Sequence, residues 1–282
     1  MSRALVRAAR MALAGVACSG CGSAASGASL PSGSRGSSAA SGADADATTA
    51  DTGSGDAASN EETLDWCDAQ GASHLFCEDF DHGVPGRLTS KTYGGATVAA
   101  DVSDYTSPPE SMWTSTPTLA GPHATAGAFG TWSFVTTAPH LQVQADLQIA
   151  PDCVGNGDGV TLVMLTLDAY SVTLRTALGS SALVELVNAP DGGLASSASH
   201  RLTAQIPNDA WSTVVFEVDL SAREANVTVA GTPTLIHEPL SLEPSTAAPA
   251  SAIVGLGAEV TNQIGQSTGC RVRVDNVLLD SF

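Results

Sequence analysis

The chain has 282 residues, 29 acidic against 11 basic, and a formal charge of -18. A surface that negative repels nucleic acid and anionic lipid, which excludes both as direct partners of the folded part. Aromatic residues make up only 5% of the chain, so any sugar-stacking surface has few rings to draw on.

At the N-terminus, Arg3, Arg7 and Arg10 precede a short apolar run from Met11 to Ala17. That run is too short to span a bilayer and is built like a secretory signal. Small residues directly before a cysteine resemble the lipobox of bacterial lipoproteins, in which the cysteine becomes the lipidated first residue. "GVAC" offers Cys18 and "CSGC" offers Cys21, with Cys18 favoured because Ala17 closes the apolar run. Ser19 rather than Asp follows it, which resembles retention at the outer membrane. The resemblance implies a signal peptide over 1–17 and an exported chain, lipid-anchored to the outer membrane and facing the periplasm or the cell surface. An ordinary cleaved signal with soluble export is the alternative. Residues 18–60 are nearly all Ser, Gly, Ala, Thr and Asp, with Leu30 as the one large aliphatic. Such a stretch buries too little apolar area to offset its chain entropy and predicts a disordered tether.

Residues 61–282 are long enough for one sizeable core. They hold Cys67, Cys77, Cys153 and Cys270, and an even number of cysteines in an exported domain reads as two disulfides with three connectivities. Cys67 with Cys77, closing a local loop, and Cys153 with Cys270, joining distant strands, is the preferred pairing.

Helical periodicity is almost absent, whereas alternation with a period of two recurs. "LFCEDFDHG", Leu75 to Gly83, alternates Leu75, Cys77, Asp79 and Asp81 against Phe76, Glu78, Phe80 and His82, and predicts an opening strand. "LQVQADLQI", Leu141 to Ile149, sets Leu, Val, Ala, Leu and Ile against Gln, Gln, Asp and Gln: a half-buried antiparallel strand. "VTLVMLTL", Val160 to Leu167, is apolar on both faces and predicts a central strand. Further strands are expected at "YSVTLRTAL", "ALVELV", "WSTVVFEVDL", "NVTVAG", "SAIVGLG" and "RVRVDNVLLD". Gly, Pro, Asn and Asp punctuate them, which predicts an all-β sandwich or jelly roll.

The order of "FCEDFDHG", "SPPESMW", "WSTVVFEVDLSAREANVTVAG", "IVGLG" and the terminal "VRVDNVLLDSF" resembles the concanavalin A-like lectin/glucanase superfamily, laminin-G-like domains included. The resemblance spans nearly all of residues 75–282 and implies a jelly-roll sandwich of two antiparallel sheets. That fold hosts lectins, glycanases, lyases and adhesion modules alike, so it identifies no activity.

Glycanases of the superfamily carry Glu-x-Asp-x-Glu on one strand, which puts two acids on one face about 5 Å apart. In "FEVDLSA" Glu217 and Asp219 fill the first two places, but Ser221 stands at the third. With Val214, Phe216, Val218 and Leu220 on the opposite face, the two acids read as the solvated side of a strand. "GQSTG", Gly265 to Gly269, matches a nucleophile elbow in letters only, because a strand and not a helix follows the serine. Cys67, His74, Cys77 and His82 match no common zinc spacing, and export favours oxidation of both thiols. His123, His140, His200 and His237 stand alone and read as surface residues.

Calcium is the better metal candidate. Glu78, Asp79 and Asp81 near the first strand and Asp275 near the last supply hard oxygens, and the end strands of a jelly roll often lie side by side. Several relatives hold a structural calcium there, which the resemblance implies is available here. Sugar binding needs rings plus orienting polar groups. Trp113 and Trp132 with Tyr93, Tyr105 and Tyr170 are the available platforms, and the Pro-, Gly- and Thr-rich segment from Tyr93 to Trp132 is the candidate groove. Trp211 opens a strand and reads as core. These features predict a cell-envelope lipoprotein displaying a non-catalytic glycan-binding or adhesion module. The alternatives are a degenerate or unrecognised polysaccharide hydrolase or lyase using Glu217 and Asp219, and a purely structural envelope protein.

Overall fold

The computed structural model describes residues 65–71, 73–155, 159–177, 179–189, 193–242, 250–262 and 266–282. The expected signal peptide, Cys18, Cys21 and the expected tether lie outside the described residues. Strands are numbered in chain order. An eight-stranded sheet runs Thr232–Pro239 (β14), Glu224–Val229 (β13), Ser212–Asp219 (β12), His140–Ile149 (β7), Cys270–Ser281 (β17), Ser111–Thr116 (β4) and Thr97–Asp101 (β3), with Phe76–Glu78 (β1) also paired to β17. A seven-stranded sheet runs Leu194–Arg201 (β11), Ser180–Asn188 (β10), Tyr170–Ala177 (β9), Val160–Leu167 (β8), Ala250–Asn262 (β15), Ala124–Thr136 (β6) and Thr89–Tyr93 (β2). Leu119–Ala120 (β5) and Gln266–Ser267 (β16) form a small third pair, and Trp66–Gln70 is one short helix, α1.

Neighbouring strands pair antiparallel throughout both sheets, giving the jelly-roll sandwich that the resemblance implies. In β7, Leu141, Val143, Ala145, Leu147 and Ile149 are buried against the other sheet while the glutamines point out. β8, apolar on both faces, is the middle strand of its sheet. Each buried Val, Leu or Phe contributes roughly 1.5–3 kcal/mol by transfer from water. The two ends of the domain meet where Phe76, Cys77 and Glu78 pair with Leu279, Leu278 and Val277.

Both expected disulfides are present. Cys67–Cys77 ties α1 to β1, and Cys153–Cys270 spans 117 residues and fastens a short 3-10 turn, Pro151–Gly155, to β17.

The structure departs from the sequence reading in four places. The opening strand stops at Glu78, because Phe80 adopts φ 63°, which ends the alternation and turns Phe80 fully into the core. The segment from Tyr93 to Trp132 is built largely of strands, β2 to β6, rather than an open groove. Trp211 faces outward, because Ser212, Val214, Phe216 and Val218 take the inner positions. His200 is buried, not a surface residue: it lies between Glu185 at 2.6 Å and Glu238 at 2.9 Å, where the edges of the two sheets meet.

Candidate functional site

On the eight-stranded sheet most of the outward polar groups bond one another, Trp113 Nε1 and Asn276 Oδ1 being buried without a partner among the described residues. Asp275 is fully buried because the segment 102–110 lies over it, and its carboxylate accepts from the amides and hydroxyls of Thr106 and Ser107 and from the Asn276 amide. Burial pushes the Asp275 pKa up despite those bonds. Asp146, opposite it on β7, accepts from Thr106, Thr213 and Asn276. Arg273 packs over the ring of Trp113, its Cζ 5.8 Å from the ring centroid, and donates to Asp101 at 2.6 Å and Gln148 at 2.6 Å. Asp104 accepts from Gln148 and from Trp211 Nε1. Together these bonds close a polar lattice that straps a loop to a sheet.

Glu217 and Asp219 belong to this side. Glu217 accepts from Asn226 across to β13. Asp219 accepts from the Ser221 and Ala222 amides and the Ser221 hydroxyl, which hold its pKa below the usual value. They are the solvated edge of a strand and its turn, as the alternation indicates. Ser267 sits in β16 with β17 directly after it, so no helix stands behind that serine; Gly265 lies outside the described residues. The bridge between Cys67 and Cys77 removes both thiols from any zinc set.

Around the first strand, Asp65 and Asp79 both accept from the Cys67 amide, and Asp65, Asp79 and His82 bring ligand atoms within 4.8 Å of one another. Burial, and then the neighbouring Asp65, raises the Asp79 pKa. Asp81, desolvated and close to the charges of Asp79, Asp65 and Asp275, is pushed up to about 6, and its Oδ1 faces no donor among the described residues. Glu78 points into the domain instead and accepts from the Phe80 and Arg87 amides. In the group of Asp65, Asp79 and His82, the carboxylates of Asp65 and Asp79 are the hard oxygens that could hold calcium. Asp65 was not among the residues singled out from the sequence.

The outer face of the seven-stranded sheet is organised differently. One row in continuous register crosses all seven strands: Tyr93, Gly127, Glu259, Thr161, Arg175, Ala182 and Arg201. At a strand spacing of about 4.8 Å the row is roughly 29 Å long. The face is recessed at its middle: Phe129, Thr161 and Thr173 point away from the core yet are only 2%, 4% and 3% exposed. Its floor is small. A Cβ on Gly127 would stand 2.5 Å from the ring of Tyr93, so only glycine lets that ring lie over β6. The Tyr93 hydroxyl donates to the Glu259 carboxylate. Burial first, and then that carboxylate, raises the phenol pKa, so Tyr93 stays neutral. At the opposite end, shallow cavities of about 150 and 440 Å³ are lined by Arg175 and Arg201, with Ser180 shared between them.

The expected platforms are thus dispersed. Tyr93 lies on the recessed face, half exposed, and Tyr105 is exposed in the loop over the other sheet. Trp113 belongs to the polar lattice of that other sheet. Trp132 is not a platform: it turns inward, its ring centroid 4.7 Å from that of Phe76 and 4.9 Å from that of Phe134. Sequence reasoning missed Glu259, Arg175 and Arg201. The available signal was a lone charge in an otherwise uncharged strand, as in "YSVTLRTAL", where a charge has no partner on its own strand.

No family model matches the chain, and no curated protein matches it by sequence. Solved structures do match in fold. An endo-beta-1,4-glucuronan lyase from the fungus Trichoderma reesei superposes with a TM-score of 0.56 at 11% identity, over 74% of this chain and 96% of that one. The marine PL-14 alginate lyase from Aplysia kurodai gives 0.50 at 9% identity, over 75% of this chain and all of that one. At these identities the likeness is one of fold.

Proposed function

We propose that the domain is a non-catalytic polysaccharide-binding module that lays a glycan chain across the outer face of the seven-stranded sheet. The observation that carries this reading is Tyr93, whose ring lies over Gly127 with its hydroxyl fixed by Glu259 at the rim of a recessed face. A ring held in place before binding loses little conformational freedom when a pyranose stacks on it, and the cross-strand row supplies hydroxyl, carboxylate and guanidinium partners along the chain. Two solved structures with this fold are named for lyases of glucuronan and alginate, which agrees with a polysaccharide ligand.

Binding fits the chemistry of the face better than turnover. Retaining hydrolysis needs two carboxylates about 5 Å apart. Glu259 is the one acid at the outward strand positions described on this sheet, and it is engaged by Tyr93. Elimination with a tyrosine base needs a phenolate, whereas partial desolvation and the Glu259 carboxylate beside the Tyr93 hydroxyl disfavour one. Retardation of the full-length protein in native gels containing polysaccharide tests the reading. Tyr93→Ala should weaken retardation by about tenfold, the size of a lost stacking contact. Unchanged retardation in that variant, or release of shortened chains by the wild type, would reject it.

A further inference from the structure

The recessed face carries a charge opposite to that of the molecule. Between residues 65 and 282 the basic side chains are Arg87, Lys91, Arg175, Arg201, Arg223, Arg271 and Arg273. Arg271 and Arg273 lie on the outer face of the eight-stranded sheet and pair with Asp152 and Asp101. Arg87 donates to the Cys77 carbonyl and covers the Phe76 ring. Arg223 stands in the turn between β12 and β13 of the eight-stranded sheet, so Lys91, Arg175 and Arg201 remain. None of the three has an acid in ion-pairing distance among the described residues, and by register all three project from the seven-stranded sheet's outer face. Against them that face sets Glu259 alone among the described residues. The other outer face presents Asp101, Asp146, Glu217, Asp219, Asp275 and Asp280.

We infer that the glycan bound by this face is polyanionic, bearing carboxylate or sulfate groups that meet Arg175 and Arg201 at one end and Lys91 at the other. The inference rests on the binding reading above and gives its ligand a chemical class. Arg201 and Arg175 are two strands apart, about 10 Å, and Lys91 lies on the strand four beyond Arg175, about 19 Å further. Such spacing suits a chain with charges repeated along its length and suits poorly a single small anion.

The formal charge of the whole chain does not oppose this. Counter-ions screen exposed charges over about 8 Å at physiological ionic strength, and packed sheets stand about 10 Å apart. An anionic chain on the seven-stranded face therefore meets the local cations and little of the acidic sheet behind them. The guanidinium groups hold planar oxyanions in a forked geometry, and being unpaired they lose no internal partner when they do so.

The test uses the full-length protein with polyglucuronate as the carboxylated probe, dextran sulfate as the sulfated probe and dextran as the neutral one, at low and high salt. The wild type should bind an anionic probe more tightly than dextran, and salt should erase most of the difference. The tighter anionic probe identifies the acid group. Arg175→Gln with Arg201→Gln should weaken anionic binding roughly tenfold, while the Arg→Lys pair retains most of the affinity. A matching melting temperature confirms that the Gln pair is folded. Dextran binding as tightly as the anionic probes would overturn the charge inference and leave the binding reading standing. Absence of binding to all three would overturn both. Tighter binding of single-stranded DNA than of either anionic glycan would overturn the assignment to a glycan.

Discussion

On the eight-stranded side Arg273 faces Asp101 and Gln148, Arg271 faces Asp152, and Asp146 and Asp275 hold down the loop that carries Thr106 and Ser107. On the seven-stranded side Lys91, Arg175 and Arg201 face no acid among the described residues, and Tyr93 presents its ring. Both faces come from the same antiparallel ladder and the same alternation. What separates them is whether the outward cations are paired within the protein. Satisfied groups stabilise the fold and have nothing left for a ligand, whereas unsatisfied ones on a recessed surface are available to one.

The largest expected effect is on the closed side. Both disulfides end on the eight-stranded sheet, Cys77 in β1 and Cys270 in β17. Replacing Cys153 and Cys270 with alanine releases a loop of 117 residues and should cost about 3–5 kcal/mol in denaturant unfolding. Polysaccharide binding by the protein that remains folded should change by less than about twofold. Lost affinity at unchanged stability would break the division between the faces.

Arg273→Ala should lower stability by about 1–3 kcal/mol, since it leaves Asp101, only 6% exposed, without its ionic partner. Its polysaccharide affinity should match the wild type. Reduced binding in a stable Arg273→Ala protein would place the ligand on the wrong sheet.

A smaller effect concerns the edge where the sheets meet. Glu185, fully buried, accepts from His200, from Tyr170 at 2.9 Å and from the Ser241 and Leu242 amides. Burial alone would raise the Glu185 pKa and lower that of His200, but these bonds outweigh it, so Glu185 is lowered and His200 raised. A lowered carboxylate stabilises the fold fully above its unfolded value of 4.5 and loses that contribution as pH falls through the folded value. A raised histidine stabilises fully below its unfolded value of 6.5 and loses it as pH rises through the folded one. Asp81, pushed up to about 6, also favours the folded state on the acid side. The melting temperature should therefore peak at mildly acidic pH and fall on the alkaline side, and His200→Gln should flatten the alkaline fall. A profile unaltered by that substitution would remove the pair from the account.

The sandwich was legible where apolar alternation is strong. β7 and β8 follow their sequence patterns, and the terminal strand lies beside the first. β6 was hidden because Ala124 to Thr136 puts Gly127 and Gly130 where larger side chains would collide with Tyr93, Leu88 and Met112. β11 was hidden because "LASSASHR" is an exposed edge whose pairing is made by the backbone. His200 could not be placed because its partners stand on β10 and β14, far apart in the chain. The recessed face was illegible for the same reason: its row draws one residue from each of seven strands, and only register reveals it.

Hydroxyl-radical footprinting of the full-length protein, with and without a saturating polysaccharide, compares the two faces in one measurement. Oxidation of Tyr93 should fall severalfold on binding, while Tyr105, Trp113 and Trp211 on the other side should be oxidised as before. Protection of Trp113 and Trp211 with Tyr93 unchanged would contradict the assignment of the seven-stranded face as the binding surface.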